Sequence, residues 1–106
     1  MPSIQYDKLV RDKIPEVIAA SGKRPVADLL PAQEIQAALE RKLLEEVREY
    51  LDSRSIEEMA DVLEVLRGIA FHRGVSWDEI ERERMRKREE RGGFEKGVRL
   101  LSVESR

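Results

Sequence analysis

The stretch AQEIQAALERKLLEEVREYL, residues 32–51, followed after DSR by SIEEMADVLEVLRGIAFHR, residues 55–73, decides the fold. In its first part Ile35, Leu39, Leu43, Val47 and Leu51, with Leu44 and Tyr50, recur at the period of an amphipathic α-helix. Asp52-Ser53-Arg54 interrupts that period. Ser55-Ile56-Glu57-Glu58 then has the S-x-x-E form of a capping box, which predicts a second helix over 56–73. On it Met59, Ala60, Val62, Leu63, Val65, Leu66, Ile69, Ala70 and Phe71 cover well over half the circumference. This helix is therefore expected to be the central and most buried one. So short a connection between long helices favours antiparallel packing.

Upstream, Ser3 to Val10 alternates weakly, and Asp12 is expected to cap a short helix around Pro15–Ile18 that Ser21-Gly22 ends. Pro25 and Pro31 bracket Val26–Leu30, which reads as extended. Downstream, Gly74 stops the second long helix, and Ser76-Trp77-Asp78-Glu79 is another capping box. The helix expected over 77–91 is almost wholly charged, with only Trp77, Ile80 and Met85 available to a core. Gly92-Gly93 ends it. The tail FEKGVRLLSVE reads as extended and is expected to pair with Val26–Leu30. The whole reads as all-α: an antiparallel bundle of about four helices, with short extended segments near both ends, in one domain over residues 1–106.

Composition narrows the chemistry. With 106 residues and 41% hydrophobic content the chain can bury one core. Charged residues reach 40%, well above the roughly 25% of an average domain, yet the net charge is only −2. That balance gives no global attraction to nucleic acid or to anionic lipid. The absence of cysteine excludes a disulfide framework, a thiolate nucleophile, a thiolate metal site and an iron–sulfur cluster. A single histidine, His72, excludes a multi-histidine zinc site, and its place near a helix end suits capping or packing. No apolar run approaches the roughly 20 residues of a membrane span, and MPSIQYDKLVRDK lacks an apolar signal core. The expectation is a cytoplasmic protein whose chemistry is done by carboxylates, lysine and arginine.

Four carboxylates stand where apolar residues belong. At about 100° per residue Glu46 projects between Ile35 and Leu39, with Glu49 at the edge of the same stripe. Glu58 projects between Val65 and Ile69, and Asp61 lies at the margin of that arc. Each pair is spaced i,i+3, so both members reach one helix face. A buried carboxylate must be paired, protonated or coordinated to a cation. Oxygen ligands alone select magnesium or manganese over zinc. Simpler roles are open to the same residues: Glu58 as the third residue of the Ser55 box, Asp61 as partner of the positive helix end, Glu46 and Glu49 as partners of Lys42 or Arg41.

Lys42-Leu43-Leu44-Glu45-Glu46-Val47-Arg48-Glu49, followed by Glu58-Met59-Ala60-Asp61, resembles the E-x-x-E … E-x-x-D signature of the all-α NTP pyrophosphatases. These are the MazG-like enzymes, related to phosphoribosyl-ATP pyrophosphohydrolase. Tyr6–Pro15 (YDKLVRDKIP) and Arg91–Lys96 (RGGFEK) resemble a small stand-alone house-cleaning subgroup. Eight residues separate Glu49 from Glu58, a shorter gap than in better-known members. The resemblance implies hydrolysis of a nucleoside triphosphate, non-canonical in a house-cleaning role, to monophosphate and pyrophosphate. It implies Mg²⁺ (or Mn²⁺) held by Glu46, Glu49, Glu58 and Asp61, and a homodimer or homotetramer. Glu45 is the candidate to orient or deprotonate the attacking water.

Lys87 and Arg91, at i,i+4, match the K-x-x-x-R of the family and suit a triphosphate tail. Lys42, Arg11 and Lys13 are further substrate-binding candidates. A competing reading is a non-catalytic helical interaction or regulatory module, suggested by the charged fourth helix and the sparse aromatic residues. Nucleic-acid binding by residues 82–91 is disfavoured, because Glu81, Glu83, Glu89 and Glu90 interleave with the arginines.

Overall fold

A computed structural model describes residues 7–105. Tyr6 of the YDKLVRDKIP motif, and residues 3–6 of the weakly alternating segment, lie outside them. The described residues contain helices α1 (Ile14–Ala20), α2 (Ala32–Ser53), α3 (Ile56–His72) and α4 (Trp77–Arg91) and no strand. The protein is all-α. The chain divides into two compact units, the first ending at Gly74 and the second beginning at Val75.

In the first unit α2 and α3 form a helical hairpin. Its turn is unusually tight: Arg54 takes a left-handed conformation (φ 59°, ψ 24°), and its N–H donates to the Tyr50 carbonyl at 2.6 Å. The Arg54 Nε donates to the Leu51 carbonyl at 3.1 Å, so the side chain helps close the end of α2. Ser55 then caps α3, its hydroxyl accepting from the Glu58 N–H at 3.2 Å. The short gap between the two acidic motifs is thus a closed turn.

Ala38 and Leu39 of α2 pack with Val65 and Ala70 of α3 as the buried apolar core. Gly68 lets the helices approach: a Cβ there would meet Leu39 Cδ2 at 3.3 Å. Much of the remaining apolar surface is open, against the expectation that α3 is deeply buried. Ile56, Met59, Leu63, Leu66 and Phe71 of α3 are exposed, and so are Leu44, Val47 and Leu51 of α2. One facing helix covers one side of α3, and its apolar arc is wider than that.

At α1 the expected cap is replaced. Lys13, not Asp12, occupies the N-cap position without a side-chain hydrogen bond, and the Ile14 N–H is satisfied by the Arg11 carbonyl at 3.0 Å. Pro15 in the first turn needs no donor partner, which lowers the demand for a cap. The helix ends at Ser21 and Gly22 (φ +90°), as the sequence predicts.

The second unit holds α4, capped by Ser76 through the Glu79 N–H at 3.2 Å and followed by Gly92 at φ +86°. Trp77 and Ile80 are half-buried, and no residue of α4 is fully buried. Among the described residues neither the tail nor Val26–Leu30 forms a strand, so neither supplies the strand that the expected pairing needs. Val26, Leu29, Val98 and Val103 are all exposed, and Pro25 and Pro31 remove backbone donors from the ends of the first segment. No described helix is long and apolar enough to cross a membrane.

Candidate metal centre

The two acidic motifs meet across the α2–α3 hairpin. Oxygens of Glu45, Glu46 and Glu49 lie within 4.8 Å of one another, and so do oxygens of Glu46, Glu58 and Asp61. Glu46 belongs to both groups and joins the helices. It is the buried charged residue of the described chain, only 6% exposed, as its place inside the apolar stripe predicts. Glu58 and Asp61 are half-buried and Glu49 is exposed.

Charge on this cluster is only partly balanced. Lys42 Nζ lies 3.3 Å from Glu46 Oε1 and 3.9 Å from Glu45 Oε1, with its side chain 17% exposed. Lys8 Nζ lies 3.7 Å from Glu45 Oε1, and Arg11 Nη2 donates to Asp61 Oδ1 at 2.7 Å. Five carboxylates thus meet three cations among the described residues, a surplus of two negative charges. The surplus has a visible location. Glu46 Oε2 and Glu58 Oε2 are both buried with no N–H or O–H donor directed at them, an unfavourable condition for ionised groups.

The cluster responds by holding protons. The Glu49 carboxyl is pushed up from 4.5 to about 7, first by a hydrogen bond with Glu46 that needs a shared proton. Local desolvation and the charges of Glu46, Glu58 and Glu45 add to it. Glu58 is also raised, first by burial and then by its interaction with Glu46 and the charge of Asp61. A divalent cation would remove the same strain by replacing protons. The donor set is oxygen alone, so the residues fit Mg²⁺ or Mn²⁺.

The capping box expected of Glu58 is only half made: its N–H donates to the Ser55 hydroxyl, but its side chain does not complete the box. In a full capping box its side chain would accept from the Ser55 N–H. That N–H donates instead to Ser53 Oγ at 3.3 Å. Ser53 therefore releases the Glu58 carboxylate to the cluster, a role that helical periodicity does not reveal. Beside the acids runs an open apolar groove of about 320 Å³ lined by Val47, Tyr50, Met59 and Val62. Each of these residues directly follows one of the four acids, Glu46, Glu49, Glu58 and Asp61.

The basic candidates divide. Arg11 reaches the cluster through Asp61, while Lys13 makes no ion pair among the described residues. Lys42 is engaged by Glu45 and Glu46. Lys8, absent from the candidates drawn from the sequence, pairs with Glu45; its only sequence signal is its place in the Asp7–Lys13 run. On α4, Arg84 pairs with Glu81, Arg86 with Glu83 and Glu90, and Arg88 with Glu95. Lys87 and Arg91 make no ion pair among the described residues, although their charges help lower the Glu83 carboxyl, which Arg86 depresses most. His72 sits in the last turn of α3, its ring edge-to-face with Phe71 at 5.0 Å.

Comparison with known proteins adds little to this geometry. No family model matches the chain, and no solved structure matches it. An uncharacterized protein of Mycolicibacterium smegmatis is 57% identical over 42 residues, which make up 40% of this chain and 43% of that protein.

Proposed function

We propose that this chain is a Mg²⁺-dependent (or Mn²⁺-dependent) nucleoside triphosphate pyrophosphohydrolase. It would release a monophosphate and pyrophosphate from a non-canonical nucleotide in the cytoplasm. The observation that carries the reading is Glu46: buried, common to both carboxylate groups, with Oε2, like that of Glu58, buried and facing no donor. The E-x-x-E … E-x-x-D pattern and both end motifs support the same chemistry through the resemblance described above.

Glu46, Glu49, Glu58 and Asp61 would hold the ion. When bound, a divalent cation neutralises phosphate charge and acidifies water. Glu45, half-buried and paired with Lys8 and Lys42, is the candidate to orient the attacking water and take its proton. Lys87 and Arg91 are candidates for the phosphate tail: a point charge and a planar fork, neither in an ion pair among the described residues.

The working form is a homodimer or homotetramer. Four buried apolar residues among the described ones make a small core, while α2 and α3 leave Leu44, Leu51, Met59, Leu63 and Phe71 exposed. The same exposed face also fits a non-catalytic interaction module. Turnover separates the two readings. Pyrophosphate release from a panel of canonical, deaminated, oxidised and uracil-containing triphosphates is expected with Mg²⁺ and lost in Asp61→Ala. No metal-dependent turnover of any nucleotide would refute the enzyme reading.

A further inference from the structure

The three cations at the acidic cluster are held in different ways. Lys42 approaches Glu46 from four residues away on the same helix, and its side chain is 17% exposed. It belongs to the fixed wall. Arg11 approaches Asp61 from fifty residues away, with both side chains partly open to solvent. It stands on the stretch 7–13, which contains neither helix nor strand. Lys8, on the same stretch, lies 3.7 Å from Glu45.

Asp61 is therefore unlike its neighbours in the Glu46–Glu58–Asp61 group. Two buried oxygens there, Glu46 Oε2 and Glu58 Oε2, face no N–H or O–H donor, and they define where positive charge is missing. The Asp61 Oδ1 is already taken by a guanidinium. A divalent ion ligated by Glu46, Glu58 and Asp61 together would share a carboxylate with Arg11, and two cations on one carboxylate repel. The partly exposed ion pair on an irregular segment is the weaker of the two attachments.

We propose that Arg11 and a divalent cation compete for Asp61, so that ion binding releases Arg11 and the stretch 7–13 from the cluster. The released guanidinium, which is always charged, then becomes available to an anionic substrate arriving with the ion. This rests on the reading of the cluster as a metal centre. It adds a coupling between ion occupancy and a segment outside the helical hairpin.

Mn²⁺ titration of the full chain without nucleotide, in wild type, Arg11→Ala and Arg11→Lys, tests the competition. Arg11→Ala should bind Mn²⁺ about two- to fivefold more tightly than wild type, with Arg11→Lys between. Tryptic cleavage after Arg11 in the wild-type chain should accelerate when Mn²⁺ is added. Equal or weaker Mn²⁺ binding by Arg11→Ala, or unchanged or slower cleavage after Arg11, overturns the competition and leaves the centre standing. No Mn²⁺ binding by any of the three proteins removes the centre and the competition with it.

Discussion

Two regions of this chain carry dense charge, and they use it in opposite ways. On α4 the acids and bases alternate along one exposed helix and answer one another at i,i+3 and i,i+4. Glu81 meets Arg84, and Arg86 meets both Glu83 and Glu90. On the α2–α3 hairpin the acids come from two helices and outnumber their partners. The protonation of the same residue type records the difference. The Glu83 carboxyl is held below its ordinary value, chiefly by the Arg86 hydrogen bond, whereas Glu49 is pushed up to about 7. Composition sees one number for both regions, but physically one is a solvated surface of paired charges and the other a group of acids that outnumber their partners.

The sharpest way to break this contrast is to remove one acid from each region. Glu46→Ala should reduce Mg²⁺-dependent pyrophosphate release by at least about a hundredfold, the loss expected when a metal ligand is removed. Glu83→Ala should leave the rate within about twofold, since a surface ion pair carries little energy. Comparable losses in both variants would erase the distinction.

The next largest effect concerns the apolar face beside the acids. If the chain associates through this face as proposed, Leu63→Glu should leave a monomer by light scattering at micromolar concentration where the wild type is a dimer or tetramer. The exposed Leu63 would then carry a charge that must be desolvated on association. An unchanged oligomer would place the interface elsewhere.

Acidity gives a third test. Glu49 holds its proton up to about 7 in the folded chain, against an ordinary 4.5. Between those values the folded state binds more protons than the unfolded one, so stability falls as pH rises through that window; Glu58, also raised, acts in the same direction. Urea midpoints without divalent ions should therefore be lower at about pH 8 than at about pH 5, with a shallower slope in Glu49→Gln. Mn²⁺ at the higher pH should restore the loss. A midpoint that rises over the same interval would contradict the proton-sharing arrangement.

The smallest effect belongs to α4. Arg86→Ala removes the contacts to Glu83 and Glu90 together, yet should leave the midpoint of a denaturant titration almost unchanged. A larger change would mean that the α4 charges carry structural weight.

The hairpin was legible in the sequence because periodicity and caps agree there: Ser55 and Ser76 begin helices where their S-x-x-E patterns stand. Glu46 was legible for the same reason, as a charge inside an apolar stripe. Periodicity counts apolar positions but not the neighbours available to cover them, so the open face of α3 was not foreseeable from one chain. The Arg11–Asp61 contact spans fifty residues and leaves no local pattern. Ser53 was hidden differently: its hydroxyl competes for the Ser55 N–H, and only the closed turn at Arg54 brings the two together. The extended reading of Val26–Leu30 and the tail described their polarity pattern, but no ladder forms to make either a strand.

The central claim is that the surplus negative charge between α2 and α3 is a site for a divalent cation. Isothermal titration of Mn²⁺ into the wild-type chain and into Glu46→Gln tests it without reference to any nucleotide. Saturable binding that is stronger at pH 8 than at pH 6 in wild type, and absent in Glu46→Gln, is the predicted result, with about one proton released per ion near neutral pH. No binding to wild type, or equal binding to Glu46→Gln, would contradict it.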